Sequence, residues 1–438
     1  MRDMTKSLLS TSWAMSLFGA KQMINLVKTD EQSRSTTEAF DAATQATGEE
    51  FDDMIHSLFA VGDELQREII DLVASSITSQ ALNPMNLMEL PIVHRSSDTL
   101  RAFMPGQNSQ VLVRELRNKF AVFNLVKQVP TLLDLPDEPP YPPLAEAVAR
   151  AMALEEYPKL WVIEGLGHFH GDTFWKRNMV PQSILSAKEY DDLPRESLTM
   201  LHAGIGMAFA QHLMKTINHL SPASEIRQVL KEFIVLCKEN SRPGYEGAAL
   251  ESLGLISRHG QFYSDTRPTE MVLLVSNELA QLDTEVYEYF WHGVGRATYF
   301  LPINFIPGYG SISHATDMIR SLAPDDVALR NAISGLAWGV TMVNIRHPEV
   351  MENWIGLQQE FLTQNDALTN GVISGIMMRQ DTTPDAQFIS QYYEHEAGNE
   401  VSSFWNTGVR EACEKTLKST YPQLVQDERL GQIFRYQS

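Results

Sequence analysis

Cysteine, basic charge and unbroken apolar runs are scarce in this chain of 438 residues, and each shortage excludes a class of protein. The two cysteines, Cys237 and Cys413, lie far apart without metal-ligand spacing, so neither a disulfide framework nor a thiolate zinc site is predicted. Acidic residues outnumber basic residues by 55 to 35, and the formal net charge of -20 disfavours nucleic acid as a partner. A reducing, cytoplasmic location fits this composition.

An apolar stretch near the N-terminus runs from Trp13 to Val27, but polar residues such as Lys21 and Asn25 interrupt it. No small-residue cleavage site follows, so the stretch indicates an amphipathic helix and not a signal peptide or membrane span. A second amphipathic helix is predicted from Phe51 onward, where apolar residues recur at steps of three, four and seven. Residues 1–128 are therefore an amphipathic helical region that either packs on the rest or coats a membrane or granule.

Prolines crowd into a short segment after that region, at positions 130, 136, 139, 140, 142 and 143. Proline removes a backbone donor and disfavours helix at the residue before it. A proline-rich linker is therefore predicted over residues 129–145, followed by a second region over residues 146–438.

A short phrase recurs in the second region, in which a glycine interrupts an apolar, helix-like run. These glycines are Gly165, Gly204, Gly247, Gly293, Gly335, Gly371 and Gly408. Their separations of 39, 43, 46, 42, 36 and 37 residues each accommodate two helices with their turns. Between the phrases, helical apolar spacing without an internal proline predicts second helices over Ile226–Leu236, Met271–Leu282 and Val350–Leu362. The sequence thus predicts an all-α fold, a helical-hairpin repeat array of about seven units that is either an α-solenoid or an α/α toroid.

Familiar catalytic and cofactor motifs are absent. Gly165, Gly167 and Gly171 miss the spacing of a dinucleotide loop, because the third glycine comes four residues after the second. His168 and His170 lie two residues apart, so on a helix they point in different directions and do not form a metal pair. We therefore expect no cofactor and no metal.

A column of polar residues remains, because the residue before each glycine is polar in all phrases but one. These residues are Glu164, Ala203, Glu246, His292, Ser334, Asn370 and Thr407. Four positions further along, the same helix face carries His168, Met207, Leu250, Arg296, Trp338, Ser374 and Glu411. The column either lines a binding surface or hydrogen-bonds neighbouring turns inside the core.

Candidate ligand-binding residues are taken from this column and from the histidine that directly precedes its second phrase: Glu164, His168, His202, Glu246, His292 and Arg296. Glu164, Glu246 and His292 are the candidate general acids or bases if the chain is an enzyme, which the sequence leaves open.

The phrases Tyr245–Ala249 and Phe290–Phe300 resemble an uncharacterised bacterial family encoded beside enediyne and polyene polyketide synthases. The likeness spans roughly residues 160–345. It implies that Glu246, Gly247, Gly293, Gly295 and Arg296 are characteristic positions, and that the protein has an accessory role in natural-product assembly. The amphipathic N-terminal region is in addition similar to phasins, which coat storage granules.

Three functions follow as expectations. The first is an accessory helical-repeat protein of polyketide-type biosynthesis that binds a partner protein or a hydrophobic intermediate. The second is an enzyme that acts on such an intermediate by acid/base catalysis, with Arg296 holding an anionic group. The third is a coating protein that contacts a membrane or granule through residues 1–128.

Overall fold

The structure is a computed structural model, and it describes residues 108–136, 138–177, 179–259, 267–301, 304 and 311–437. The amphipathic helices predicted from Trp13 and from Phe51 lie outside the described residues. Contacts divide the chain into two compact units, Met1–Val113 with Phe305–Tyr309, and Arg114–Asn304 with Gly310–Ser438. Nearly all described residues belong to the second unit, to which the following description applies.

The regular secondary structure of the described part of the chain is helical, with no strand, which confirms the predicted all-α class for these residues. The helices are α1 Asn108–Lys127, α2 Val129–Leu132, α3 Leu144–Met152, α4 Glu156–Lys176, α5 Arg195–Met214, α6 Ala223–Asn240, α7 Glu246–Arg258, α8 Pro268–Leu282, α9 Thr284–Tyr299, α10 Ser311–Leu322, α11 Asp326–Val343, α12 Glu349–Leu357, α13 Gln359–Leu362, α14 Ala367–Thr382 and α15 Gln387–Tyr393. None of the helices in the described ranges is long and apolar enough to cross a membrane.

The C-terminal part alternates short α-helical and π-helical pieces. In order these are α16 Ser402–Phe404, a π-helix Trp405–Glu411, α17 Ala412–Lys415, a π-helix Thr416–Thr420 and α18 Tyr421–Gln426. Short 3-10 helices lie at Lys188–Tyr190 and at Leu430–Phe434.

The proline-rich segment is partly helical. Pro130 lies in the first turn of α2, where the missing backbone N–H removes no hydrogen bond of the helix. Residues 133–136 and 138–143, between α2 and α3, are not helical. The segment predicted as a linker, residues 129–145, thus includes helical residues at both ends.

Six helices carry glycines of the recurring phrase in regular α-helix, namely α4, α5, α7, α9, α11 and α14, and we call them the glycine helices. Each packs on the next in chain order, from α4 to α14, and α14 also contacts α5. The glycines make this approach close. A methyl group added to Gly293 would stand 2.1 Å from the backbone oxygen of Glu251, and one added to Gly335 would stand 1.9 Å from that of His292.

The helices between the glycine helices lie beside them. Helix α6 contacts α5 and α7, α8 contacts α7 and α9, and α10 contacts α9 and α11. The helical periodicity predicted two of these elements inside their observed bounds, Ile226–Leu236 within α6 and Met271–Leu282 within α8. The helix predicted at Val350–Leu362 is instead divided into α12 and α13, with the break at Gln358.

Candidate functional site

Four charged or titratable side chains meet in the interior of the glycine helices: Glu164, Glu251, His292 and Arg296, which we call the buried cluster. The guanidinium of Arg296 forms an ion pair with Glu164 and a second one with Glu251, whose Oε2 lies 3.1 Å from Nη1. Nδ1 of His292 lies 3.2 Å from the other oxygen of Glu251. None of the four side chains is more than 4% exposed.

The ion pairs keep Glu251 and Arg296 charged although burial opposes charge. Burial raises the pKa of Glu251, but Arg296 and His292 together outweigh it and hold that pKa below its usual value. Burial lowers the pKa of Arg296, and the carboxylates of Glu164 and Glu251 reverse the effect. Because ionised Glu251 only accepts hydrogen bonds, Nδ1 of His292 is the donor in their contact.

Three buried polar atoms at the cluster have no hydrogen-bond partner within the part of the chain that the structure describes. They are Nε2 of His292, Nε of Arg296 and Nε1 of Trp338. The Arg296 guanidinium carbon lies 4.6 Å from the centroid of the Trp338 ring, and the ring centroids of His292 and Trp338 are 6.3 Å apart. One acceptor and two N–H donors therefore lie close together without partners when the His292 ring is neutral.

An aromatic side chain from the C-terminal 3-10 helix covers these atoms. The ring centroid of Phe434 lies 6.2 Å from that of His292 and 5.8 Å from that of Trp338. Phe434 is itself fully buried, so the site is closed by the C-terminal segment.

Residue spacing, a glycine and the start of helix α9 explain how these side chains reach each other. His292 and Arg296 are four residues apart on α9 and so share one face of that helix. Gly293, between them, lets the backbone of α9 approach that of α7 at Glu251. At the start of α9 the carboxylate of Asp283 accepts hydrogen bonds from the first turn and fixes where the helix begins.

The structure brings together three of the predicted site residues, Glu164, His292 and Arg296, and places the other three elsewhere. His202 is buried and stacks on Tyr245 at a centroid distance of 5.1 Å. Its Nδ1 lies 2.6 Å from the oxygen of Leu198, and its Nε2 accepts the backbone N–H of Arg242 at 3.0 Å. Burial lowers the pKa of His202 to about 4, and both ring nitrogens are satisfied within the protein.

His168 and Glu246 have the hydrogen bonds described here with residues outside the cluster, although His168 also interacts electrostatically with Glu164. Nε2 of His168 lies 2.7 Å from Oε1 of Gln211, and burial lowers the pKa of this histidine. Glu246 is the first residue of α7, where Oε2 accepts the backbone N–H of Gly244 at 2.9 Å. A role for these residues in ligand binding stays a prediction.

Other members of the polar column hydrogen-bond each other inside the protein. The hydroxyl of Ser334 donates to Oδ1 of Asn370 at 3.0 Å, and Nδ2 of Asn370 donates to the backbone oxygen of Gln437 at the same distance. Thr407, in a π-helix, is exposed. The column thus contributes both to the buried cluster and to the hydrogen bonds that hold the C-terminal segment.

Sequence reasoning missed Glu251 and Phe434. Glu251 could have been found from the sequence, because it is the acidic residue in the apolar run from Gly247 to Ile256. A buried carboxylate requires a partner. Phe434 had no such signal, because the rings of His292 and Trp338 that it contacts lie more than ninety positions earlier in the chain.

Within the described ranges, no group of three histidine, cysteine, aspartate or glutamate side chains is placed to hold a metal ion. Comparison of the chain with protein-family models, with curated proteins and with solved structures finds no match.

Proposed function

We propose that this chain is a helical binding protein whose buried cluster holds the polar group of a small, largely apolar molecule. The three unpartnered polar atoms of His292, Arg296 and Trp338 carry this proposal. A buried polar group without a partner costs about 1 to 3 kcal/mol, and three such groups in one place add to that cost. A ligand hydroxyl group would donate to Nε2 of His292 and accept from the two N–H groups, whereas a carbonyl group would accept from the N–H groups alone.

A small molecule is favoured over a partner protein because the cluster is buried. Every side chain in it is covered, so a second protein would reach none of these atoms without large rearrangement. The surroundings are apolar and aromatic, with Trp338 and Phe434 against the cluster. Binding sites for small molecules combine such walls with a few convergent polar groups.

The glycine helices support the further proposal that the second region is a repeat array. Successive glycine helices pack in chain order. Methyl groups added to Gly204, Gly335 and Gly371 would each meet the backbone oxygen of the residue that precedes the phrase glycine of the preceding helix, namely Glu164, His292 and Ser334. In such an array each unit buries its apolar face against its neighbours. The resemblance to the family encoded beside polyketide synthases supports an accessory role in that type of biosynthesis, in the cytoplasm.

The proposal is tested with 2-decanone, an apolar chain with one carbonyl acceptor, titrated calorimetrically into the full chain. Trp338→Phe removes the indole donor at the cluster, and loss of one hydrogen bond should weaken binding about three- to tenfold. Trp161→Phe is the matched control, because Trp161 is also a fully buried tryptophan, but its ring lies near Arg379 and not at the cluster. Equal affinities for the two variants, or no binding by any of the three proteins, would contradict the proposal.

The pair of His292 and Glu251 favours acid/base catalysis as a second candidate function. Glu251 orients the imidazole by accepting from Nδ1, which leaves Nε2 free to take a proton from a bound molecule. The chain would then exchange the hydrogens next to the carbonyl of 2-decanone for deuterium in heavy water. Mass spectrometry should show this exchange with the wild type and not with His292→Gln, whereas a pure binding protein gives the same slow exchange with both.

A further inference from the structure

The C-terminal segment after α18 is attached in two different ways. Its inner side chains Leu430, Ile433 and Phe434 are buried in the core. Its last residues are held by polar contacts at the rim, where the N–H of Tyr436 donates to Oδ1 of Asn331 at 2.7 Å and Arg435 forms an ion pair with Glu288. The segment therefore covers the core without belonging to a long helix.

Glycines let this segment lie directly on the start of α7. The N–H of Gly431 donates to the backbone oxygen of Gly244 at 2.6 Å, and a methyl group on Gly247 would stand 2.3 Å from the oxygen of Gly431. Gly244 has a φ of +86°, which a side chain would strain. The contact depends on backbone approach and not on interdigitating side chains.

A cavity of about 470 Å³ is lined in part by Arg435, Tyr436 and Gln437 of the same segment. Phe434, the neighbour of Arg435, is not part of this lining and contacts His292 and Trp338 instead. The segment thus contributes side chains both to the cavity and to the surroundings of the three unpartnered atoms.

We infer that residues 428–437 form a removable cover of the ligand site, and that the ring of Phe434 occupies the place of a flat aromatic or conjugated group of the ligand. This inference rests on the proposed function and adds the class of ligand. Phe434 lies against two flat rings, so a planar group fits the vacated space better than a puckered one of equal carbon number. A hydroxyl or carbonyl on that group would meet the unpartnered atoms.

The test uses 2-naphthol and decahydro-2-naphthol, which share a carbon skeleton and a hydroxyl group but differ in flatness. Both are titrated into the wild-type full chain and into Phe434→Ala, in which the space of the Phe434 ring is already vacant. Phe388→Ala is the matched control, because Phe388 is a buried phenylalanine that packs on Arg346 and Arg379 instead. We expect Phe434→Ala to bind 2-naphthol at least tenfold more tightly than the wild type, Phe388→Ala to show no gain, and the saturated alcohol to bind more weakly throughout.

Hydrogen exchange of the wild-type protein gives a second readout, which does not require any variant to fold. Addition of 2-naphthol should speed exchange of the amide of Gly431, because displacement of the cover breaks its bond to Gly244. Unchanged exchange there with bound 2-naphthol, or equal affinity for the flat and the puckered alcohol, would overturn the inference. If 2-decanone still binds in a Trp338-dependent manner, the proposed function stands while this inference fails.

Discussion

Replacement of Gly293 by alanine should destabilise the protein, although alanine is the better helix former. The new methyl group would lie 2.1 Å from the backbone oxygen of Glu251 and 2.9 Å from the backbone nitrogen of Leu255. To restore ordinary contact, α7 and α9 must separate by roughly 1 Å. Overpacking of this kind costs about 1 to 3 kcal/mol, against a gain of about 0.5 to 1 kcal/mol from helix propensity.

We therefore expect Gly293→Ala to lower the free energy of unfolding by about 1 to 2 kcal/mol, as measured by urea titration at pH 7. It should also weaken 2-decanone binding, because the displaced backbone belongs to Glu251. Gly339→Ala is the control within a glycine helix, since its methyl group would meet the Tyr299 ring at an ordinary 3.5 Å. A stability gain for both variants would refute the reasoning that close backbone approach requires the glycine.

Two further predictions concern buried charge. Arg296→Met leaves Glu164 without its ion pair and leaves Glu251 with the contact to His292 alone. It should lower the free energy of unfolding in urea by about 3 to 5 kcal/mol, so a loss below about 1 kcal/mol would contradict the ion pairs. Burial lowers the pKa of His202 to about 4, so the unfolded chain takes up the proton first and stability is lost as pH falls from about 6.5 to 4. Between pH 7 and pH 5, this histidine should account for about 2 kcal/mol of the loss in the free energy of unfolding. His202→Gln should remove that part of the pH dependence. An unchanged pH dependence in the variant would refute the burial of His202 in its neutral form.

The sequence predicted the helical class and several helices because these depend on local patterns. Apolar spacing placed α6 and α8, whose buried faces follow the helical period. The glycine phrase located the glycine helices, since a missing side chain there permits the close backbone approach. The break between α12 and α13 at Gln358 was not predicted, because the apolar pattern continues across it.

The site was predictable where its residues share one helix and hidden where they come together through the fold. His292 and Arg296 follow from a spacing of four residues on one helix. Glu246 holds the corresponding column position on α7, but the helix begins there, so its carboxylate binds the preceding turn and Glu251 reaches the cluster instead. The position of Phe434 depends on where the chain returns at its C-terminus, which no local pattern encodes.

In the proposed function, the unpartnered atoms of the buried cluster receive a ligand. The indole N–H of Trp338 reports this directly in nuclear magnetic resonance spectra of protein labelled with 15N at its 7 tryptophans, with signals assigned from Trp338→Phe and Trp161→Phe. On addition of 2-decanone, the Trp338 signal should shift downfield as the N–H gains an acceptor, while the Trp161 signal stays in place. A Trp338 signal that does not move while 2-decanone binds would contradict ligand binding at the buried cluster.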